Sequence, residues 1–228
     1  MAITRRTFLK ATAAIYAAEL VGDQAAFAAD SDIQHGSRSS KKVALTFHGA
    51  GNPDFSEQLL QLFKTTGTQV SVFAVGSWLV RKPTLASKIV AEGHDLGNHT
   101  MNHTQMKTIS KSKIDSEIGD CANILKKQIG NHGLWFRPSG TQFSTPMIRA
   151  AVQKFGYGQC ISYDVDSEDY KDVSKKTMIS NVLDRVQNGS IISMHFGHKV
   201  TLEAMPNILE KLHARGLQPV TLTDLLKT

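Results

Sequence analysis

The sequence predicts an α/β fold in which parallel strands close into a barrel. Three observations carry that prediction. After residue 40, short apolar runs alternate with helical patterns, seven of each, which is the pattern of a parallel sheet covered by helices. No Gly-x-Gly-x-x-Gly turn follows the first run, since Gly49-Ala50-Gly51 lacks the third glycine, and this argues against a dinucleotide-binding sheet. Polar side chains gather where the runs end: His48, His99, His103, Arg137, Asp164 with Asp166 and Asp169, and His195. In a barrel all these ends open on one face, whereas a doubly wound sheet concentrates its chemistry at a switch point.

The elements follow in order. Val43–Phe47 is the first strand. Asn52-Pro53-Asp54 starts a helix, with Asn as cap, Pro in the first turn and Asp favoured by the helix dipole. Phe55, Leu59, Leu60, Leu62 and Phe63 give that helix its buried face. Val70–Val75 is a strand, Pro83–Glu92 a helix stopped near Gly93, and His94–Asn98 a third strand. Lys113–Ile129 is helical, with Ile114, Ile118, Cys121, Ile124 and Leu125 on one stripe. Leu134–Arg137 is a fourth strand, a helix runs from Thr145-Pro146 to Phe155, and Gln159–Asp164 is a fifth strand. Then come a helix over Ser174–Gln187, a strand over Ser190–His195, a helix over Leu202–Arg215 ended by Gly216, a seventh strand over Leu217–Thr221 and a short helix over Leu222–Leu226.

The segment before the fold has the make-up of an address. Thr4-Arg5-Arg6-Thr7-Phe8-Leu9-Lys10 resembles a twin-arginine export signal, Ala11–Ala18 is a short apolar stretch, and Ala26-Phe27-Ala28 offers a cleavage site. Residues 1–28 are therefore expected to be a signal peptide, 29–40 a flexible Ser- and Gly-containing leader, and 41–228 one domain. The implied partner is the twin-arginine export machinery, and the implied location is the periplasm or outside the cell. No cysteine follows the cleavage site and no apolar stretch spans a bilayer, so no stable membrane anchor is expected.

The net charge is +6, of which residues 1–28 contribute +1 (Arg5, Arg6 and Lys10 against Glu19 and Asp23), leaving +5 for the rest. The lysines are scattered and no basic block alternates with aromatics, so no nucleic-acid partner is expected. Cys121 and Cys160 admit two readings, a disulfide in an oxidising compartment or two buried thiols acting as small hydrophobes. Trp78 and Trp135 are read as core residues in preference to sugar platforms.

Four segments carry the chemistry. Gly93-His94-Asp95-Leu96-Gly97-Asn98-His99-Thr100-Met101-Asn102-His103 spaces two histidines four apart, a spacing that lets both reach one metal ion. Arg137-Pro138-Ser139-Gly140 follows, then Tyr163-Asp164-Val165-Asp166-Ser167-Glu168-Asp169-Tyr170, and last Ile191-Ile192-Ser193-Met194-His195. In this order they resemble the polysaccharide deacetylases of carbohydrate esterase family 4, the NodB-like domain, over about Lys41 to Thr228.

The resemblance implies a distorted (β/α)7-type barrel and metal-assisted hydrolysis of an acetyl group on a polysaccharide or cell-wall glycan, N-acetylated or O-acetylated. It implies a divalent metal, zinc by the chemistry of its ligands, held by His99 and His103. Arg137 matches the arginine that orients the catalytic carboxylate. Asp166, matched to the first Asp of D-x-x-D-W with Tyr170 at the Trp position, is expected to tune His195, which protonates the leaving amine. Pro138, Ser139, Tyr170 and His198 are candidate substrate contacts.

The first motif departs from the family. Its pattern is T-F-D-D-G, with the first Asp as general base and the second as metal ligand; here Thr46-Phe47-His48-Gly49-Ala50 carries neither carboxylate. His48 is then either the third metal ligand, with the base supplied by Asp164 or His198, or the base itself beside a two-histidine site; Asp54 reaching back to the metal is a further alternative. The expected function is an exported, metal-dependent deacetylase. The alternative is an inactive carbohydrate- or wall-binding protein that kept the fold.

Overall fold

The computed structural model describes residues 31–227. The expected signal peptide lies outside the described residues. Six strands and eight α-helices are present among those described: β1 (Lys42–Gly49), α1 (Pro53–Thr66), β2 (Ser71–Ala74), α2 (Gly76–Arg81), α3 (Pro83–Ala91), β3 (Asp95–Asn98), α4 (Lys111–Ile129), α5 (Pro146–Lys154), β4 (Val165–Asp166), α6 (Lys175–Leu183), β5 (Ile191–His195), α7 (Lys199–Ala214), β6 (Gln218–Val220) and α8 (Leu222–Leu226).

β1 is the centre of the sheet because its run is apolar on both faces, with Val43, Ala44, Leu45 and Phe47 fully buried. The sheet runs β3-β2-β1-β5-β4, all parallel. β5 pairs along Ala44–His48, so β6, at Lys42–Ala44, and β2, at Thr46–Gly49, share the other edge of β1. Phe47 stacks against Phe63 of α1 at 5.6 Å and against Phe196 at 5.3 Å. Burying such a ring stabilises the fold by about 2–3 kcal/mol. α1 starts as its sequence dictates: the Asn52 side chain accepts from the Asp54 N–H at 2.9 Å, and Gly67 ends the helix at φ 64°, where a side chain would be strained.

The wall is barrel-like but not closed by a continuous ladder. The strand expected at Leu134–Arg137 is reduced to one residue, Phe136, bridged to Asn98 and to Cys160. Pro138 follows at once and has no N–H to extend the ladder. The strand expected over Gln159–Asp164 likewise contributes bridges at Cys160 and Ile161, and its ladder with β5 forms only at Val165–Asp166. The distortion sits on this side of the barrel.

From Ser31 the expected flexible leader is packed on the domain instead. Ile33 bridges Ile161, donating to the Cys160 carbonyl at 2.9 Å and accepting from Ser162 N at 2.7 Å. Asp32 is buried and accepts from Ser144 N at 2.6 Å, and Arg38 pairs with Asp164 at 2.8 Å. Composition suggested flexibility; one isoleucine and two charged side chains with waiting partners fix the arm. Cys121 and Cys160 are both free and buried, and burial pushes each thiol up to about 12. No described helix is long and apolar enough to cross a membrane.

Candidate active site

Register builds the site. His48 of β1 pairs with His195 of β5, while Thr46 pairs with Ser193, which pairs with Asp166 of β4. Side chains alternate along a strand, so His48, His195, Thr46, Ser193 and Asp166 share one face, with His48 and His195 nearest the strand ends. That face is the floor of a cleft of about 450 Å³, lined also by His103, Gln105, Pro138, Gln142, Tyr163 and Tyr170.

His103 reaches the cleft, and His99 the histidine cluster behind it, from a loop rather than a helical turn. Thr100 (φ 69°) and His103 (φ 57°) are both left-handed, which costs about 1–2 kcal/mol per residue without glycine. The surroundings impose the shape. Asn98 is buried and accepts from Thr100 N at 2.8 Å, Thr100 Oγ1 donates to Ser139 Oγ at 2.9 Å, and Ser139 Oγ donates to the Thr104 carbonyl at 2.6 Å. Buried Glu117 of α4 accepts from Asn102 N at 2.7 Å and Asn102 Nδ2 at 3.1 Å. Burial opposes the Glu117 charge, but the Asn102 and Lys113 bonds outweigh it and hold the carboxyl below its usual range.

Glu117→Gln is expected to cost about 1–3 kcal/mol of stability, because one Asn102 donor loses its charged acceptor. The Glu117 contribution is present at neutral pH and fades as pH falls through the depressed folded pKa. Thermal melts of the two proteins at neutral and acid pH check the expectation.

The ligand atoms of His48, His99 and His103 all lie within 4.8 Å of one another. Burial first, and then neighbouring imidazoles, holds His48 and His99 well below the usual histidine range, and partial burial lowers His103. All three are therefore neutral at pH 7, the form a metal needs. His99 Nδ1 lies 2.9 Å from the Arg137 carbonyl, so it carries the proton; its Nε2 is buried with no hydrogen-bond partner among the described residues. A buried lone pair without a donor is the kind of vacancy a cation satisfies.

His48 is engaged at both nitrogens. Arg137 Nη1, which only donates, lies 3.2 Å from His48 Nε2, so Nε2 is the acceptor. His48 Nδ1–H then donates to His195 Nε2 at 3.1 Å. His195 Nδ1–H donates in turn to Asp169 Oδ1 at 2.7 Å. The result is one directed chain from Arg137 through His48 and His195 to Asp169.

Asp169, and not Asp166, is the carboxylate on His195. It is buried, and it also accepts from His195 N at 2.7 Å and from Thr201 Oγ1. Burial opposes its charge, but the His195 and Thr201 bonds outweigh it and hold the carboxyl below the usual range. Asp166 makes no bond to His195; its Oδ1 accepts from Glu168 N at 2.9 Å, and burial raises its carboxyl against that bond. The expectation that Asp166 tunes His195 fails because Asp169 reaches inward from the short turn after β4.

Arg137 is 1% exposed and, among the described residues, makes no ion pair with a carboxylate. It donates to the Ile161 carbonyl (3.2 Å), the Ser162 carbonyl (2.9 Å), Thr46 Oγ1 (2.9 Å) and His48, and lies 4.3 Å over the Phe73 ring. Burial pushes its guanidinium down to about 9, so it stays charged at neutral pH.

Sequence comparison fixes the family. Residues 35–160 match the family model described as polysaccharide deacetylase. The chain belongs to the polysaccharide deacetylase family. This deacetylase-family chain is 28% identical over 193 residues to a peptidoglycan-N-acetylglucosamine deacetylase of Bacillus cereus, covering 83% of this chain and 90% of that one. It is 28% identical to the peptidoglycan-N-acetylmuramic acid deacetylase PdaC of Bacillus subtilis, covering 82% of this chain and 39% of the longer relative. Among solved structures it is similar to a CE4 family pseudoenzyme from Bacillus anthracis, with a TM-score of 0.80 at 25% identity over 86% of this chain and 68% of that one.

Against the family's T-F-D-D-G, the deacetylase domain here has His48 facing Arg137 where the first carboxylate would stand. The second position is tightly packed. A Cβ added at Gly49 would meet Ala74 Cα and Val72 Cγ1 at 3.0 Å and Trp78 Cζ3 at 3.1 Å, so a side chain there would require these neighbours to shift.

The other expected residues divide. Pro138 and Tyr170 line the cleft. Ser139 is fully buried and spends its hydroxyl on the histidine loop, so it is a positioning residue and not a substrate contact. His198 caps α7 outside the cleft lining, its ring 5.0 Å from His195. Asp164 is bound by Arg38, Ser190 Oγ and Ile191 N, and Asp54 is exposed at the start of α1; neither joins the histidine cluster. Trp78 is buried, and Trp135 donates to Thr223, so both serve packing. Sequence reasoning missed Asp169 as the partner of His195, and Glu117, Gln105 and Gln142 altogether.

Proposed function

We propose that the chain is an exported, metal-dependent hydrolase that removes acetyl groups from a cell-wall glycan, with N-acetylglucosamine units of peptidoglycan as its first substrate. The observation that carries the reading is the meeting of two devices in one cleft: the His48, His99 and His103 cluster, and the His195–Asp169 pair. The relatives named as peptidoglycan deacetylases support the substrate class. The Thr4–Lys10 motif supports export by the twin-arginine route to the periplasm or beyond.

His99 and His103 fit a divalent ion with free imidazole lone pairs, and His48 completes the set by exchanging its Arg137 bond for the ion. Zinc suits three neutral imidazoles, and when bound it supplies Lewis-acid polarisation of the acetyl carbonyl and activates water. The chain does the rest. For His195 to act as the acid its Nε2 must carry a proton, so the His48 Nδ1–H bond to it gives way; His195 then delivers that proton to the departing amine nitrogen. Asp169 holds Nδ1–H and neutralises the imidazolium. Pro138, Tyr163 and Tyr170 form cleft walls against which a sugar ring packs.

The test is zinc titration into the metal-stripped protein, followed by acetate release from peptidoglycan. Tight binding lost in both His99→Ala and His48→Ala is the expected result. Loss with His99→Ala alone would move His48 out of the ligand set. No specific binding in the wild type would sink the metallohydrolase reading. A second reading, glycan binding without turnover, is favoured by the lack, among the described residues, of a carboxylate on Arg137 and by the tight packing at Gly49. Peptidoglycan pull-down without acetate release from the zinc-loaded protein would establish it.

A further inference from the structure

Resting on the hydrolase reading above, we infer that Asp166 is the general base that replaces the lost first-motif carboxylate. The inference begins with His48, the residue at that position. As it stands, Nε2 accepts from Arg137 and Nδ1–H donates to His195. As a metal ligand, one nitrogen would hold the ion and the other a proton. In neither state does His48 keep a lone pair for taking a proton from water, since a neutral imidazole has only one.

The remaining bases are used up or misplaced. Asp169 gives Oδ1 to His195 Nδ1 and Oδ2 to His195 N and Thr201. Asp164 is held by Arg38, Ser190 and Ile191. The Tyr163 and Tyr170 phenols are both raised by burial, Tyr163 to about 12, and stay protonated. Among the described residues lining the cleft, Asp166 is the one carboxylate.

Its placement suits the task. Asp166 pairs with Ser193 two residues before His195 on the same inward face, beside the acid but not bonded to it. One oxygen is fixed by Glu168 N at 2.9 Å, which orients the group, and the carboxylate faces the cleft beside the Tyr170 hydroxyl. Burial raises its carboxyl above the usual range, which strengthens it as a base.

The step balances. Asp166 takes one proton from the water whose oxygen bonds to the acetyl carbon. The C–N bond breaks with its electron pair on nitrogen, which takes the proton from His195. Amine and acetic acid leave, and the Asp166 proton returns to His195 through solvent.

The test uses the full zinc-loaded chain and acetate release from peptidoglycan. Asp166→Asn is expected to lower kcat by about 10²–10⁴-fold with KM within about threefold, the range of a lost general base. Zinc affinity by calorimetry and Tm should match wild type. Formate should restore Asp166→Gly at least about tenfold and leave wild type unchanged, since a small carboxylate replaces a missing base but not a missing structural contact. Turnover retained in Asp166→Asn, or a loss that formate leaves untouched, overturns the assignment while the hydrolase reading stands. No acetate from the wild type overturns both.

Discussion

Asp169→Asn is expected to abolish measurable turnover and to lower thermal stability in the same protein. The carboxylate accepts three bonds, from His195 Nδ1, His195 N and Thr201 Oγ1, with its side chain fully buried. An amide keeps one acceptor oxygen and turns an NH₂ group toward a donor. If that donor is His195 Nδ1–H, the ring is forced into the wrong tautomer, a change that costs about 10⁴-fold in a serine-protease triad. We expect a loss of about 10³-fold or more in kcat by acetate release. Stability should fall by about 2–4 kcal/mol, since bonds to a charged acceptor contribute about 1.5–3 kcal/mol each and one or two are lost.

The pH dependence of that stability difference has a fixed sign. The Asp169 carboxyl is held below its usual range in the fold, so the folded state favours the ionised form. Its stabilisation is therefore complete above the unfolded value of about 3.9 and is lost as pH falls through the depressed folded value. Urea midpoints of wild type and Asp169→Asn should run parallel from about pH 8 to 5 and converge below about pH 4. Curves that stay parallel into acid would show that the carboxylate charge is not what His195 and Thr201 recognise.

The residues that meet in the cleft were legible in the sequence as a set, because strand ends in a parallel barrel share a face whatever the details of the strands. His48, His103 and His195 line it, and His99 and Arg137 sit buried against His48. Individual partnerships were less legible. Asp166 and Asp169 are three residues apart and equally acidic; what separates them is that β4 lasts only two residues before the chain turns, which no periodicity announces. Glu117 had a signal that went unused. It falls three residues after Ile114 and four before Cys121, on the buried stripe of α4, where a carboxylate needs partners. The arm before β1 was misread from composition, since Ser and Gly around Ile33 and Arg38 hid two specific attachments. Helix α2 was missed because it starts at Gly76, where an added Cβ would strike Met101 Sδ at 2.6 Å, so close packing and not helix propensity chose the residue.

Arg137→Met should move two measurements in opposite directions. A buried guanidinium without a counter-charge is costly, and replacing buried charges by apolar groups of similar size is often neutral or stabilising. Here the balance goes the other way. The guanidinium serves the Ile161 and Ser162 carbonyls and Thr46 Oγ1, all in a buried setting, and lies over Phe73. Methionine fills the volume but leaves those acceptors without donors, at about 1–3 kcal/mol each. The net expectation is a loss of about 3 kcal/mol or more, or roughly 6–12 °C in Tm at about 2–4 °C per kcal/mol. Arg137→Lys should recover only a minor part, because one ammonium cannot span carbonyls that a planar fork reaches together. Zinc affinity should rise. With Arg137 gone, His48 Nε2 is released from its donor and a positive charge leaves the neighbourhood of the ion. A gain of about tenfold, equal to about 1.4 kcal/mol, is expected by calorimetry at a temperature where both proteins are folded. Stability and zinc affinity falling together would mean that Arg137 builds the histidine cluster. Their divergence would mean that it competes with the metal for His48, and that the imidazole at this position does duty as both hydrogen-bond acceptor and ligand.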